Sequence, residues 1–180
     1  MTIARLLARI CIGIFFIGHG TQKLFGWFGG PGLDQAGEGF EQLGLHPGRR
    51  HATAAGAAET AGGTMILTGT ATPLAASLLT SVMLTAIDRV HRPNGPWNSD
   101  GGYEYNVVLI AALLTLAEAG PGTPSVDRAR GHEHRGSRWS LAALAAGAAG
   151  FAGTRQLARR QQPEATDPQH VREQHEPLAA

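Results

Sequence analysis

Cysteine and charged residues are scarce in this chain. Its 180 residues include one cysteine, Cys11, which excludes an intramolecular disulfide and a two-thiol redox centre within the chain. Charged residues make up 16% of the sequence and leave a formal net charge of +1. Nucleic-acid-binding proteins usually carry a basic face, so we expect no nucleic-acid partner.

Sequence motifs for common enzymatic chemistry are also missing. The chain has no P-loop, no GxGxxG following a strand, no HExxH and no GxSxG. Its cysteine and histidine spacing fits neither zinc nor haem, so we predict no metal. Any redox or catalytic chemistry must therefore come from a bound small molecule or a partner protein.

Apolar segments predict an all-α membrane protein. Four of them approach the length of about 20 residues that crosses a bilayer core, and they run at about 5–25, 52–71, 73–90 and 103–119. A secretory signal peptide is the alternative for the first segment, and the further apolar segments disfavour it. We therefore predict an integral membrane four-helix bundle, multi-pass in the cell membrane and surrounded by lipid.

Three other regions complete the predicted organisation. In the loop 26–51, apolar residues at helical spacing predict a short amphipathic helix on the membrane surface, ended by Pro47. Residues 139–153 are a fifth apolar run, which either spans, lies at the interface or packs on the bundle. The sequence predicts a bundle over 1–128, a linker with a short apolar helix over 129–155, and a disordered polar tail over 156–180.

Several polar residues interrupt or border the apolar segments. Hydrocarbon penalises buried charge, and Arg9, His19 and Lys23 fall within roughly an 80° sector of the first helix. Glu59 lies in the second segment, which runs antiparallel to the first, at a depth that matches Lys23 or His19 better than Arg9. Two interpretations stay open: a buried ion pair that fixes helix register, or a proton-handling carboxylate beside a histidine.

These residues predict a polar pocket at the end of the bundle where the first helix exits. Glu104 begins the fourth segment on that same side. The candidate cofactor-binding residues are His19, Gln22, Lys23, Glu59 and Glu104, with Arg9 as a candidate structural residue of the polar face. A quinone fits such a pocket, because its head group needs hydrogen-bond donors and its tail needs an apolar groove. The sequence assigns no catalytic residue.

The order of residues along the chain resembles the DoxX family of small bacterial membrane proteins. The resemblance covers about residues 5–128 and rests on Arg9, Gly13, Phe16, His19–Gly20, Gln22–Gly26, Gly29–Gly30, Phe40–Leu45 with Pro47, Glu59–Gly63, His91–Gly95, Gly101–Tyr105 and Gly120–Asp127. It implies relatives in quinone-dependent sulfur oxidation and in a membrane complex that couples a superoxide dismutase to a sulfurtransferase.

The resemblance thus predicts a membrane subunit of a quinone-linked oxidoreductase system, acting in sulfur or thiol redox chemistry or in oxidant defence. Two alternatives remain. One is a transporter of protons or small molecules, favoured by the intramembrane carboxylate. The other is a membrane anchor that recruits soluble redox enzymes through its charged tail. A homo-oligomer is compatible with each of them.

Overall fold

The computed structural model describes residues 3–161, and within that range every regular element is a helix. The predicted all-α class is confirmed. The helices are α1 (Ile3–Phe25), α2 (Gly32–Gln42), α3 (Gly48–Thr68), α4 (Thr72–Ala86), α5 (Glu104–Ala119), α6 (Val126–Ala129) and α7 (Ser137–Arg160). A π-helical turn, Ile87–His91, extends α4 directly.

Glycines bring α1 and α3 together in an antiparallel pair. Gly13 of α1 faces Gly63 of α3, and Gly20 faces Gly56, so each helix presents two glycines seven residues apart. A Cβ atom added at Gly13 would lie 2.8 Å from the carbonyl oxygen of Gly63. The two backbones are in direct contact, as small residues permit in membrane helices.

The tight turn between α3 and α4 is fastened by a later part of the chain. Gly69 and Ala71 both adopt positive φ angles, 66° and 43°. The side chain of Asp127 accepts a hydrogen bond from the backbone amide of Ala71 (3.0 Å). The backbone amide of Asp127 donates to the Gly69 carbonyl oxygen (3.1 Å). The two helices therefore form a hairpin, and α6 holds its turn in place.

Five long helices, rather than four, form the bundle. Along α7, Gly147 packs on Thr80 and Gly150 packs on Ser81, so α7 runs parallel to α4. Ser140 donates a hydrogen bond to the Leu114 carbonyl of α5 (3.1 Å). The 24 residues of α7 extend about 36 Å, close to the length of the 23-residue α1.

This corrects the predicted boundaries of the C-terminal region. The helix includes 156–160, which the sequence assigned to a disordered tail, and Ala158 within it is fully buried. Alanine and glycine let helices pack closely but give only weak hydropathy. The apolar run 139–153 therefore predicted a helix shorter than the one in the structure. Residues 162–180 of the predicted tail lie outside the described residues.

The predicted amphipathic helix exists as α2, with a corrected end. It stops at Gln42 rather than at Pro47, because Gly44 takes a positive φ of 73° just beyond it. Pro47 instead precedes α3, which begins at Gly48. The third helix therefore starts four residues before the predicted segment 52–71.

Two helices within residues 3–161 are long and apolar enough to cross a membrane: Ile3–Phe25, and α4 with its extension, Thr72–Asn94. Large apolar side chains point outward from α1, where Leu7, Ile14 and Phe15 are each more than half exposed. Such outward apolar surface is typical of contact with lipid or another protein. The other two predicted spans do not meet the same test, since α5 has only 16 residues and α3 is rich in alanine, glycine and threonine.

Candidate functional site

Arg9 is almost completely buried at the end of the bundle where α1 begins. Its guanidinium donates to four backbone carbonyl oxygens at 2.7–2.9 Å: those of Ile66 and Leu67 in the last turn of α3, and those of Pro121 and Pro124 in the loop after α5. Carbonyls at a helix C-terminus lack partners within the helix and carry partial negative charge. Arg9 therefore clamps this loop onto α3, and its donors are satisfied by backbone.

Lys23 and Glu59 form an ion pair near the other end of α1. The Lys23 Nζ lies 2.8 Å from Oε2 and 3.1 Å from Oε1 of Glu59. The Glu59 side chain is 5% exposed and that of Lys23 is 24% exposed. The same ammonium also donates to the His19 carbonyl at 3.3 Å. Of the partners that the sequence allowed for Glu59, the structure selects Lys23.

A cavity of about 470 Å³ lies on one side of this ion pair, between α1, α4 and α5. We call it the first cavity. Its apolar lining includes Cys11, Ile12, Phe15, Phe16 and Leu109. Its polar lining includes His19, Lys23, Glu59, His91, Tyr105 and Asn106. Along α1, the cavity-facing positions Cys11, Phe15, His19 and Lys23 recur every four residues, so the lining changes from apolar to polar towards the end of the bundle.

Asn106 supplies a buried amide to the first cavity. The residue is 5% exposed, and its Nδ2 lies 3.5 Å from the thioether sulfur of Met83, which is a weak acceptor. His91, another lining residue, places its Nδ1 2.8 Å from the Gly101 carbonyl oxygen. The neutral tautomer with a proton on Nδ1 leaves Nε2 as a free acceptor.

A second cavity, of about 410 Å³, lies between α2, α3, α4 and α7. Lys23, Glu59, Met83 and Ala86 line both cavities, so the ion pair forms part of the wall between them. The remaining lining of the second cavity is mostly apolar, with Arg89 and His51 among its polar members.

The structure brings together only some of the predicted pocket residues. His19, Lys23 and Glu59 line the first cavity, whereas Gln22 and Glu104 line neither cavity. The side chain of Gln22 packs directly on the backbone of Gly30. Glu104 is the first residue of α5 and is half-buried, and the structure does not bring it together with the other three residues in either cavity.

Sequence reasoning missed Asn106 and Tyr105 of the first cavity and a charged cluster around Asp88. Asp88 lies 3.4–3.8 Å from the guanidinium groups of Arg89, Arg92 and Arg155. The signal for Asn106 was available, because it is a lone amide at the start of an apolar run, and polar residues within such runs are often functional. In the Asp88 cluster, Arg92 lies at the i,i+4 spacing that a sequence can indicate, whereas Arg155 could not be inferred, since it comes from the end of α7.

One comparison with known proteins gives a match. A family model described as DoxX matches residues 4–92, a range that includes α1, α2, α3 and α4 with its extension. The match ends before α5, so the resemblance noted over 101–105 and 120–127 lies outside it. No curated protein and no solved structure matches the chain.

Proposed function

Because residues 4–92 make this chain a member of the DoxX family, we propose that it is a multi-pass membrane subunit of a quinone-linked oxidoreductase system. The family indicates a membrane protein with a link to oxidoreductase function. The first cavity supports the narrower proposal of quinone binding. Outward apolar side chains on α5 and α7, such as Val108 and Leu141, support additional spans.

The observation that carries the quinone proposal is the polarity gradient of the first cavity. A quinone has a flat head group with carbonyl acceptors and a long apolar tail. His19 and Asn106 offer donors at the polar end, and Phe15 and Leu109 offer apolar surface at the other. A ligand pocket with a few placed polar groups in a mostly apolar wall fits this shape.

The residues of the chain have distinct roles under this proposal. The buried amide of Asn106 and the ring of His19 would hold the head group and fix its orientation. Lys23 keeps Glu59 in place, and the Glu59 carboxylate would accept or release a proton at Oε1, the oxygen with the longer contact to Lys23. When bound, a quinone supplies the electron-transfer chemistry that these side chains lack.

The single cysteine provides a direct test, because Cys11 lines the first cavity and is exposed. Decyl-ubiquinone added to the purified protein in detergent should slow maleimide labelling of Cys11. A difference ultraviolet spectrum with and without quinol should report the same binding. Equal labelling rates at saturating quinone would contradict the proposal.

Variants connect this protection to the predicted residues. Glu59→Gln and His19→Ala should each keep the fold and abolish protection of Cys11. The matched control is His51→Ala, since His51 lines only the second cavity. Protection that persists in both test variants, or that disappears equally in the control, would remove the assignment of these residues to the quinone site.

Proton transport is a second candidate function, favoured by the position of the ion pair. Lys23 and Glu59 line both cavities, so a proton released by Glu59 could leave on either side of the wall. Proteoliposomes with an enclosed pH dye would test this: wild-type protein should dissipate an imposed pH gradient faster than Glu59→Gln. The anchor hypothesis depends on a tail that lies largely outside the described residues.

A further inference from the structure

The second cavity is an apolar groove along one side of α4. Its walls carry Phe40, Leu43, Leu45, Leu78, Val82 and Val90, and alanines of α3 border it. The lining positions of α4 and its extension run from Leu78 to Val90, which is about 18 Å along the helix axis. Gly150 and Thr154 of α7 line it on the other flank. The groove thus has the length and polarity to receive an acyl chain.

An excess of positive charge marks one end of this groove. Three guanidinium groups, of Arg89, Arg92 and Arg155, surround the single carboxylate of Asp88. Their closest contacts to it are 3.4, 3.6 and 3.8 Å, which are longer than a direct hydrogen bond. One carboxylate neutralises one of three cations, so donors and positive charge remain for an anion. Arg89 itself lines the groove.

The other charged groups of the groove do not oppose an anion. Glu59 is already paired with Lys23 at 2.8 Å, so together they contribute little net charge. His51 is the remaining titratable side chain of the lining and adds no negative charge in either protonation state. The groove therefore combines an apolar interior with a cationic end.

We propose that the second cavity is a specific site for an anionic membrane phospholipid. One acyl chain lies along α4 between α3 and α7, and the phosphate is held by Arg89 and Arg155 in place of their long contacts to Asp88. Guanidinium groups suit this role because their planar donors bind phosphate oxygens in pairs. Basic pockets between membrane helices recognise anionic head groups by the same chemistry.

The lipid site is separate from the proposed quinone site. The two cavities lie on opposite sides of the Lys23–Glu59 pair, and none of the three arginines lines the first cavity. Loss of lipid binding would leave the quinone proposal standing, and loss of quinone binding would leave the lipid proposal standing.

Native mass spectrometry of the full chain tests the proposal. The protein is purified in detergent, and equimolar phosphatidylglycerol and phosphatidylcholine are added. We expect retention of phosphatidylglycerol in preference to phosphatidylcholine. Arg155→Gln should weaken that retention about fivefold, the effect of removing one basic group near an anionic lipid. The matched control is Arg159→Gln, four residues further along α7 and also exposed, which should bind as the wild type does.

A groove-filling variant tests the acyl-chain position independently. Ala55 lines the groove and Ala57 lies exposed on the same helix outside it. Ala55→Phe should lose phosphatidylglycerol while Ala57→Phe keeps it, with both circular dichroism spectra unchanged. Equal retention of the two phospholipids by wild-type protein would overturn the proposal, as would equal effects of Arg155→Gln and Arg159→Gln. Preferential retention of oleate over phosphatidylglycerol would overturn it in favour of a free fatty carboxylate.

Discussion

Two cationic side chains of the same helix show how differently a helical bundle can use a buried charge. Arg9 and Lys23 both face α3, yet Arg9 gives its donors to four carbonyl oxygens, and neither of the two cavities described above is lined by it. Lys23 has one carboxylate partner and lines both cavities. A charge in an apolar helix is thus a scaffold element where backbone satisfies it, and a candidate site where it borders a cavity.

The local chain explains the difference between the two ends. After α5, the positive φ angles of Gly120 and Gly122 turn the backbone sharply, and the prolines there leave carbonyls free to face Arg9. At the Lys23 end, the first cavity instead lies between α1 and the residues Met83 of α4 and Asn106 of α5. The Arg9 end of the bundle is closed by irregular backbone, whereas the Lys23 end keeps a cavity between its helices.

The largest expected effect follows from removing the clamp. Arg9→Gln should lower the free energy of unfolding by about 3–5 kcal/mol, because several buried carbonyls lose a charged donor at once. Arg9→Lys should rescue little of this loss, since an ammonium cannot reach both groups of carbonyls as a guanidinium does. Thermal unfolding in detergent measures both variants.

Arg130→Gln is the control for the clamp, because Arg130 is exposed at the same end of the bundle. Its unfolding temperature should match that of the wild type. A similar loss in the control, or a stable Arg9→Gln variant, would show that the end of the bundle does not depend on these four hydrogen bonds.

A smaller effect on stability is expected from crowding the glycine contact between α1 and α3. Gly20→Ala places a Cβ atom 2.6 Å from the Gly56 carbonyl oxygen and should destabilise the protein by about 1–3 kcal/mol. Gly18→Ala is the matched control, because nothing lies within 4 Å of an added Cβ there. Equal unfolding temperatures for the two variants would contradict the close packing of α1 on α3.

Breaking the ion pair should cost less than breaking the clamp. Lys23→Met leaves the Glu59 carboxylate without its partner, but the cavities give this carboxylate access to water. We therefore expect the free energy of unfolding to fall by about 1 kcal/mol, instead of the 3–5 kcal/mol typical of an ion pair buried without water. The double variant Lys23→Met with Glu59→Leu should recover most of that loss. A loss as large as that of Arg9→Gln would mean that the pair is a dry structural contact.

The smallest effect is expected at Glu104. This half-buried side chain lines neither cavity, so Glu104→Gln should change stability by less than about 0.5 kcal/mol and reduce Cys11 protection only weakly. Denaturation and labelling curves that overlap the wild type would fit this expectation. Loss of protection as complete as in Glu59→Gln would place Glu104 in the pocket after all.

The contrast between Glu59 and Glu104 shows what the sequence could predict. Depth alone limits the partners of Glu59 to Lys23 and His19, because antiparallel helices with predicted ends bring certain positions to one level, and the structure selects Lys23. Whether a residue faces inward depends on helix rotation, and Asn106 lies about 200° around α5 from Glu104. No periodic pattern in the apolar run of α5 fixes that rotation, so the sequence pointed to Glu104 and missed the buried Asn106.

The fold likewise contains features that local sequence signals indicate and features that they do not. The hairpin of α3 and α4 has local signals in the sequence, which are the uncharged link between them and Pro73 in the first turn of α4. The extent of α7 was not, because its alanines and glycines give weak hydropathy and gain their stability from contact with α4 and α5. Where tertiary packing decides the structure of a segment, a single sequence underestimates it.

The glycine face of α3 also has a consequence for the order in which the chain is assembled. Within residues 3–161, α1 and α4 with its extension are apolar enough to cross a membrane, and α3, which lies between them in the chain, does not pass the same test. We expect the insertion machinery to accept α1 alone, and to accept α3 only as a hairpin with α4. The contact of Gly56 and Gly63 with α1 would then form inside the bilayer, as the second stage of assembly. A nascent chain stopped after Thr68 should therefore leave α3 outside the membrane, accessible to protease.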